Sequence, residues 1–179
     1  MDLEPPELRS FLDSLRPGEL LSGVVAALEP FGVFVQLDDG PRHPIFPGVG
    51  FISIPELSWV RIGAASDVVR VGQRVRCEVL RAGTDNGEAR LSLRATVADP
   101  MRDLRVGQVL DGVVSRVVPI GAFVRVPNGL EGLIHERDLD ARVRRGDPVI
   151  VVVTRIDVPR RRLAFVPRGQ GAMDRTNSS

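Results

Sequence analysis

The sequence predicts an all-β protein that consists of two small closed barrels in tandem. Two observations lead to this prediction: an internal repeat covers most of the 179 residues, and apolar and polar residues alternate with a period of two inside each copy. The composition agrees, because 43% hydrophobic and 26% charged residues are typical of a folded globular chain.

The internal repeat is carried by glycines and by the residues around them. Positions in the first copy recur 89 residues later, and the offset then falls to 82, to 74 and finally to 72. The clearest matches pair Gly18, Gly23, Gly32 and Phe34 with Gly107, Gly112, Gly121 and Phe123, and Leu91 and Leu93 with Leu163 and Phe165. The implied length differences fall in turn-like stretches, where insertions are tolerated. We therefore expect one domain at 18–94 and a second at 107–168.

Each copy is expected to contain five short strands. In RVRCEVL (74–80), apolar residues alternate with charged ones, which is typical of a half-buried antiparallel strand. Strands are predicted at 19–29, 31–38, 49–53, 73–82 and 88–94, and at 107–118, 121–127, 132–135, 148–157 and 162–167. Five strands in so small a unit favour a closed barrel, because closure removes exposed strand edges.

Three segments lie outside the two copies. The N-terminal segment, 1–17, places four apolar residues at helical spacing within 5–16, which predicts a short helix that packs on the first barrel. Residues 95–106 are expected to link the copies. The tail, 169–179, has no apolar periodicity and is predicted to be disordered.

The composition excludes several classes of function. All 24 basic residues are Arg, so chemistry that depends on a Lys amine or a P-loop Lys is ruled out. Cys77 is alone, and the two His are far apart without metal-ligand spacing, so neither a disulfide nor a metal site is expected. We therefore predict a protein that is not an enzyme and needs no cofactor. Without a secretory signal or a long apolar run, a cytoplasmic monomer that does not bind membranes is expected.

The second strand of each copy carries the candidate binding residues. In 31–37, Val33, Val35 and Leu37 should form core, so Phe34 and Gln36 point away from it. The second copy repeats this arrangement with Phe123 and Arg125. An outward Phe is either covered by a loop or another part of the protein, or it is a platform on which bases stack. Periodicity does not decide whether Phe31 reaches the same surface.

The order of motifs resembles the S1 RNA-binding domain, which is an OB-fold barrel. The motifs are Gly-Xaa-Val-Val, Phe-Gly-Xaa-Phe-Val, Gly-Leu-Ile-His, Val-Gly-Xaa-Xaa-Val and Arg-Leu-Ser-Leu, and the resemblance covers about 18–94 and 107–167. It implies single-stranded RNA binding by two aromatics on the second strand, a His that ends the third strand, and an Asp and an Arg around the last hairpin.

Neither copy matches the family's binding set completely. In the first copy the resemblance assigns the aromatic positions to Phe31 and Phe34 and the Arg position to Arg90, whereas Ser53 replaces the His and the Asp position falls on Gly83 or Asp85. In the second copy Ile120 replaces the first aromatic, and the matching residues are Phe123, His135, Asp157 and Arg162.

Positive charge is concentrated in the second copy. Residues 107–168 hold 11 Arg and 7 acids, whereas 18–94 hold 8 Arg and 9 acids. Two Arg runs in the second copy are either solvated loops or weaker phosphate contacts: Arg142, Arg144 and Arg145, and Arg160, Arg161 and Arg162. In the first copy we expect Phe46 and Trp59 to plug the barrel mouth and His43 to be solvated.

These observations predict a non-catalytic protein that binds single-stranded RNA in translation or RNA metabolism. Bases would stack on the Phe residues while Arg side chains neutralise phosphates, with the ribosome or an RNA-processing enzyme as a further partner. The alternative is a protein-interaction adaptor that docks on a ribosome, a polymerase or a nuclease. The near-neutral net charge of +1 and the incomplete motifs are the features that support this alternative.

Overall fold

The computed structural model describes residues 4–83, 85–140 and 142–169. Within these ranges it contains one α-helix, α1 (Pro6–Ser14), and ten strands. The strands are β1 (Leu20–Glu29), β2 (Gly32–Leu37), β3 (Gly50–Ser53), β4 (Arg74–Ala82), β5 (Ala89–Ser92), β6 (Val109–Val118), β7 (Gly121–Arg125), β8 (Glu131–His135), β9 (Pro148–Asp157) and β10 (Arg162–Pro167). The chain divides between Ala98 and Asp99 into two compact units.

Each unit is built around one closed five-stranded barrel. In barrel one the strand order is β1-β2-β3-β5-β4, and barrel two repeats this order with β6 to β10. All neighbouring strands are antiparallel except β3 with β5 and β8 with β10, which are parallel and complete each barrel. The predicted all-β architecture of two OB-type barrels in tandem is confirmed, and the strand bounds lie close to those that alternation predicts.

The second strands have the predicted inward and outward faces. Val33, Val35 and Leu37 of β2 are buried in the core of barrel one, and Ala122, Val124 and Val126 are buried in barrel two. Phe34 and Phe123 alternate with these core residues on the outer face of their strands.

Helix α1 belongs to the core of barrel one. Leu8, Leu12 and Leu15 are buried together with the inward residues of the barrel strands, as the helical spacing predicts. Pro5 and Pro6 begin the helix, and Leu15 leaves it in an extended conformation. Among the described residues, no helix is long and apolar enough to cross a membrane. The tail predicted to be disordered lies outside the described residues, except for Gly169.

The segment expected to link the copies packs partly on each unit. The indole Nε1 of Trp59 donates a hydrogen bond to the Val97 carbonyl at 2.8 Å in unit one. In unit two, Asp99 caps a short 3₁₀ turn, Pro100–Asp103, by accepting from the Met101 amide. The same carboxylate forms a 2.6 Å ion pair with Arg161 of the last hairpin. The segment is therefore held by specific contacts on both sides of residue 98.

The last hairpin aligns differently from the sequence expectation. Val79 pairs with Leu91 in barrel one, and its counterpart Val153 pairs with Phe165 in barrel two. The offset at the last strand is therefore 74, not 72, and the two hairpins have the same length. By this register Arg162 corresponds to Glu88, whereas Arg90 corresponds to Ala164. The expected equivalence of Arg90 and Arg162 is wrong.

Candidate nucleic-acid interface

Barrel two carries an open cleft on its outer surface. The cleft has a volume of about 480 Å³, and apolar side chains of Ile120, Phe123 and Leu133 line one part of it. The remainder is lined by Glu131 of β8 and by residues of β9, β10 and the hairpin between them, most of which are charged. Ile120 is 55% exposed, so an apolar surface is available to a ligand at this position.

Phe123 contributes an aromatic ring that is partly exposed and faces a cation. The residue lies on β7 beside Arg116 of β6, and the Arg116 guanidinium carbon lies 4.1 Å from the centre of the Phe123 ring. A guanidinium over a ring is a cation–π contact, and it also presents a planar, positively charged surface to solvent. A base and a phosphate are therefore both suited to bind here.

The hairpin between β9 and β10 brings charged side chains to the rim of the cleft. Arg155, Asp157, Arg160 and Arg162 all line the cleft, and Arg162 pairs with Asp157 across the strands. Asp157 also accepts a hydrogen bond from the Arg160 amide at 3.1 Å. Within the described part of the chain, no acidic side chain forms a salt bridge with Arg155, Arg160 or Arg162. Their guanidinium groups can therefore bind phosphate.

Two other predicted residues of barrel two lie near this surface. His135 ends β8 directly opposite Gly121, the residue that follows Ile120. It is exposed, and its Nδ1 accepts a hydrogen bond from the Arg137 amide at 3.3 Å. Arg125 is exposed but forms a 3.0 Å ion pair with Glu131. The cation of Arg125 is therefore partly neutralised before any ligand binds.

Arg161 has a structural role that the sequence expectation did not include. Its ion pair with Asp99 holds the 3₁₀ turn before barrel two against the last hairpin. Burial by itself would raise the pKa of Asp99, but hydrogen bonds from Arg161 and the Met101 amide and the nearby positive charges lower it below its ordinary value. Arg161 lines the cleft, yet its guanidinium is already paired with a carboxylate.

The Arg run that precedes β9 lies away from the cleft. Arg142, Arg144 and Arg145 precede β9, whereas the cleft lies at the far end of that strand. At about 3.3 Å per residue, the two ends of β9 are separated by up to about 30 Å. The three side chains are exposed, and none of them lines the cleft. The structure does not bring them together with the other predicted site residues.

The corresponding surface of barrel one is occupied by the protein itself. Phe34 is only 5% exposed, because the ring of Phe46 stacks on it at 5.5 Å with an interplanar angle of 19°. Phe51 packs against a second side of Phe34, with ring centres 5.2 Å apart. Phe46 was expected to plug the barrel mouth; instead it lies on the outer face of β2.

Phe31 reaches this same aromatic cluster. It lies just before β2, and its ring stacks on Phe51 at 5.9 Å and meets the edge of Phe34 at 6.3 Å. The side chain is 60% exposed, so Phe31 presents its ring to solvent. Phe31 therefore reaches the same surface as Phe34, which the alternation of residues did not decide.

The polar residues around barrel one also differ from those of barrel two. Arg90 lies over Phe51, with its guanidinium carbon 4.7 Å from the ring centre, and pairs with the buried carboxylate of Glu88 at 3.3 Å. By the observed register, Glu88 stands where barrel two has Arg162. Gly83 stands where barrel two has Asp157, and Ser53 replaces His135. Gln36 turns its amide toward backbone carbonyls of the following loop.

Several residues of these surfaces were not identified from the sequence. Arg116, Leu133 and Phe51 lie on strands that pair with the second strands, whereas Arg155 lies two residues before Asp157 on β9 itself. The signal that could have found the first three is cross-strand pairing: Arg116 and Leu133 pair with Phe123, and Phe51 pairs with Phe34. Register is needed to see these pairs, and a single alternating strand does not supply it.

Comparison with known proteins gives the family of this chain. The S1 RNA binding domain family matches residues 14–94 and 103–166, one match for each barrel. GSP13 from Bacillus subtilis is 27% identical with a TM-score of 0.41, and the match covers 51% of this chain and 65% of that one. A chain of the a/eIF2alpha-aDim2p-rRNA complex from Pyrococcus horikoshii OT3 is 26% identical with a TM-score of 0.40, covering 49% of each chain.

Curated relatives carry the name small ribosomal subunit protein bS1. The protein from Mycolicibacterium smegmatis is 41% identical over 173 residues, which are 89% of this chain and 34% of that protein. The homolog from Bacillus subtilis is 36% identical over 132 residues, which are 71% of this chain and 32% of that protein. This chain thus spans about a third of the length of these relatives. Since the family match extends over both barrels, the chain belongs to the S1 RNA-binding domain family.

Proposed function

We propose that this protein binds single-stranded RNA without catalysing a reaction, and that the cleft of barrel two is its principal binding site. The observation that supports this proposal most strongly is the combination of a partly exposed Phe123, with Arg116 over its ring, and three arginines that line the same cleft: Arg155, Arg160 and Arg162. Aromatic stacking and backbone neutralisation are the two interactions that single-strand binding requires.

The expected mode of binding follows from the side chains that line the cleft. A base stacks on the apolar floor formed by Ile120, Phe123 and Leu133, while Arg160 and Arg162 bind the adjacent phosphates. In this mode His135 donates and Asp157 accepts hydrogen bonds at base edges. A duplex hides the faces of its bases, so the cleft is suited to unpaired nucleotides.

The relatives support a place in translation for this binding. Curated relatives whose match covers 89% of this chain are named small ribosomal subunit proteins. This chain spans only about a third of the length of these relatives. A ribosomal partner and a cytoplasmic location are therefore proposals that we infer from the relatives' names. Single-strand binding by barrel two does not depend on that partner.

An adaptor role is a second candidate, and one surface of barrel two favours it. Val109, Val113 and Ile150 lie on the outer face of β6 and β9 and are 45%, 48% and 45% exposed. The corresponding positions of barrel one are Leu20, Val24 and Arg76, so barrel one carries a charge where barrel two has Ile150. An exposed apolar face of this kind is typical of a protein-binding surface.

A binding assay with nucleic acids of different structure tests the proposal. Fluorescence anisotropy with a labelled single-stranded RNA, the matched DNA and the RNA duplex would be measured over a salt series. We expect binding to the single strands, little binding to the duplex, and affinity that falls as salt rises, by about 0.7 log units per log unit of salt for each phosphate contacted. No binding of any strand at low salt would contradict RNA binding and favour the adaptor.

A further inference from the structure

The most unusual feature of barrel one is that Phe46 already stacks on Phe34. The two rings are 5.5 Å apart and nearly parallel at 19°. Offset stacking at this distance is the geometry in which an aromatic ligand, including a nucleic-acid base, packs against a Phe. Phe46 therefore fills the place that a base would take on the outer face of β2.

The loop that carries Phe46 is held in place by a buried histidine. His43, which was expected to be solvated, is 8% exposed. Its Nδ1 accepts hydrogen bonds from the amides of Ile45 and Phe46 at 3.1 and 2.9 Å. Because Nδ1 accepts, Nε2 carries the proton and donates it to the Asn86 carbonyl at 2.7 Å. His43 thus ties the loop to the turn between β4 and β5.

Two further contacts fix the loop against the barrel. The ring of His43 packs on Phe46 with centres 4.6 Å apart. The amide of Gln36, on the same strand face as Phe34, points to the carbonyls of Gly40 and Pro41 at 3.4 and 3.5 Å. The stacked position of Phe46 is therefore stabilised from both ends of the loop.

Barrel two shows the same surface without this loop. The connection between β2 and β3 contains residues 38–49, whereas the connection between β7 and β8 contains only residues 126–130. The ring of Phe123 consequently meets Arg116 and the cleft, and no aromatic residue of the described chain stacks on it. The two barrels thus provide a natural comparison of the same Phe with and without an aromatic ring stacked on it.

We propose that Phe46 is a specificity-determining residue that blocks base stacking in barrel one and so assigns single-strand binding to barrel two. This inference rests on the proposed function and concerns the division of that function between the barrels. Removing the Phe46 ring would uncover Phe34 beside the exposed Phe31. Barrel one would then offer two adjacent rings for two successive bases.

The test measures RNA affinity in a chain whose barrel-two site is weakened by Phe123→Ala. Adding Phe46→Ala to this parent is expected to tighten binding of single-stranded RNA by about 5- to 150-fold, which corresponds to one stacked base. Ile45→Ala is the matched control, because Ile45 lies in the same loop and is 55% exposed. The control is expected to leave the affinity of the parent unchanged.

A second variant keeps the inference testable if Phe46→Ala disturbs folding. His43→Ala removes the three hydrogen bonds that hold the loop while leaving the Phe46 ring in the chain, and it should tighten binding in the same direction. Affinity equal to or weaker than that of the parent in both folded variants would overturn the inference. That result is distinct from failure of the proposed function, which would appear as no binding by the wild-type chain.

Discussion

Phe34 and Phe123 occupy the same repeat position, yet their surroundings differ. Alternation correctly predicted that both point away from the core, because side-chain direction along a strand depends only on local geometry. The partner of each ring was not predictable in the same way. Phe46 reaches Phe34 through a twelve-residue connection, and Arg116 reaches Phe123 across a strand pair, so both contacts depend on tertiary structure.

Arg116 is expected to contribute directly to RNA binding. Arg116→Ala should weaken single-strand binding by about 5- to 10-fold, because it removes one cation–π contact and one phosphate partner. Anisotropy titrations over a salt series would measure the affinity, and the salt slope should fall by about 0.7. Arg76→Ala is the control, since it removes the same charge from an exposed position in barrel one. Equal losses in the two variants would indicate only a general effect of charge.

Cys77 gives barrel one a defined response to alkaline pH. Burial raises the pKa of the thiol from 9.0 to about 12, so the folded chain keeps a proton that the unfolded chain loses between these values. Stability is therefore complete below pH 9 and falls as pH rises toward 12. The sequence has no Lys and no Tyr, which leaves few other groups to titrate in this range.

Urea unfolding at pH 8 and pH 10.5 measures this effect. The free energy of unfolding should fall by up to about 2 kcal/mol, at 1.36 kcal/mol per pKa unit. A Cys77→Ala variant should lose most of this pH dependence, although its stability at pH 8 is lower because a buried side chain is truncated. The same pH dependence in both proteins would contradict a buried thiol that resists ionisation.

At the scale of elements, ten strands and one helix follow from the patterns in the sequence. The single error of register is instructive, because it shifted the last strand by two residues. Side chains along a strand face inward and outward in turn, with a period of two residues. By alternation alone, Leu91 can therefore be the counterpart of either Leu163 or Phe165. Only the pairing of the last strand with the strand before it distinguishes the two alignments. This pairing makes Arg162 the counterpart of Glu88, and Arg90 the counterpart of Ala164.

Helix α1 is expected to be an integral part of barrel one. Leu8 is 1% exposed, and Leu8→Ala should lower the free energy of unfolding of this unit by about 2–5 kcal/mol because it leaves a cavity in the core. Glu7→Ala, at an exposed position of the same helix, should have a much smaller effect. Chemical denaturation monitored by circular dichroism compares the variants. A loss below about 1 kcal/mol for Leu8→Ala would show that the helix packs only loosely.

At the scale of the whole molecule, the charge difference between the copies has a structural counterpart. The sequence shows that the excess of Arg lies in the second copy. In the structure, part of that excess lines the cleft of barrel two. Barrel one instead has Glu88 and Gly83 at the positions of Arg162 and Asp157. The other part, at Arg142, Arg144 and Arg145, lies elsewhere on the barrel. Composition could predict the sign of the charge but not its distribution, since that depends on where each strand ends.

The most direct test of this account is the effect of Phe123→Ala on the affinity for single-stranded RNA. The variant should bind about 5- to 150-fold more weakly than the wild-type chain, as expected for one stacked base. Val113→Ala, at an exposed apolar position outside the cleft, should bind like the wild type. Unchanged affinity in a folded Phe123→Ala protein would contradict the assignment of RNA binding to the cleft of barrel two.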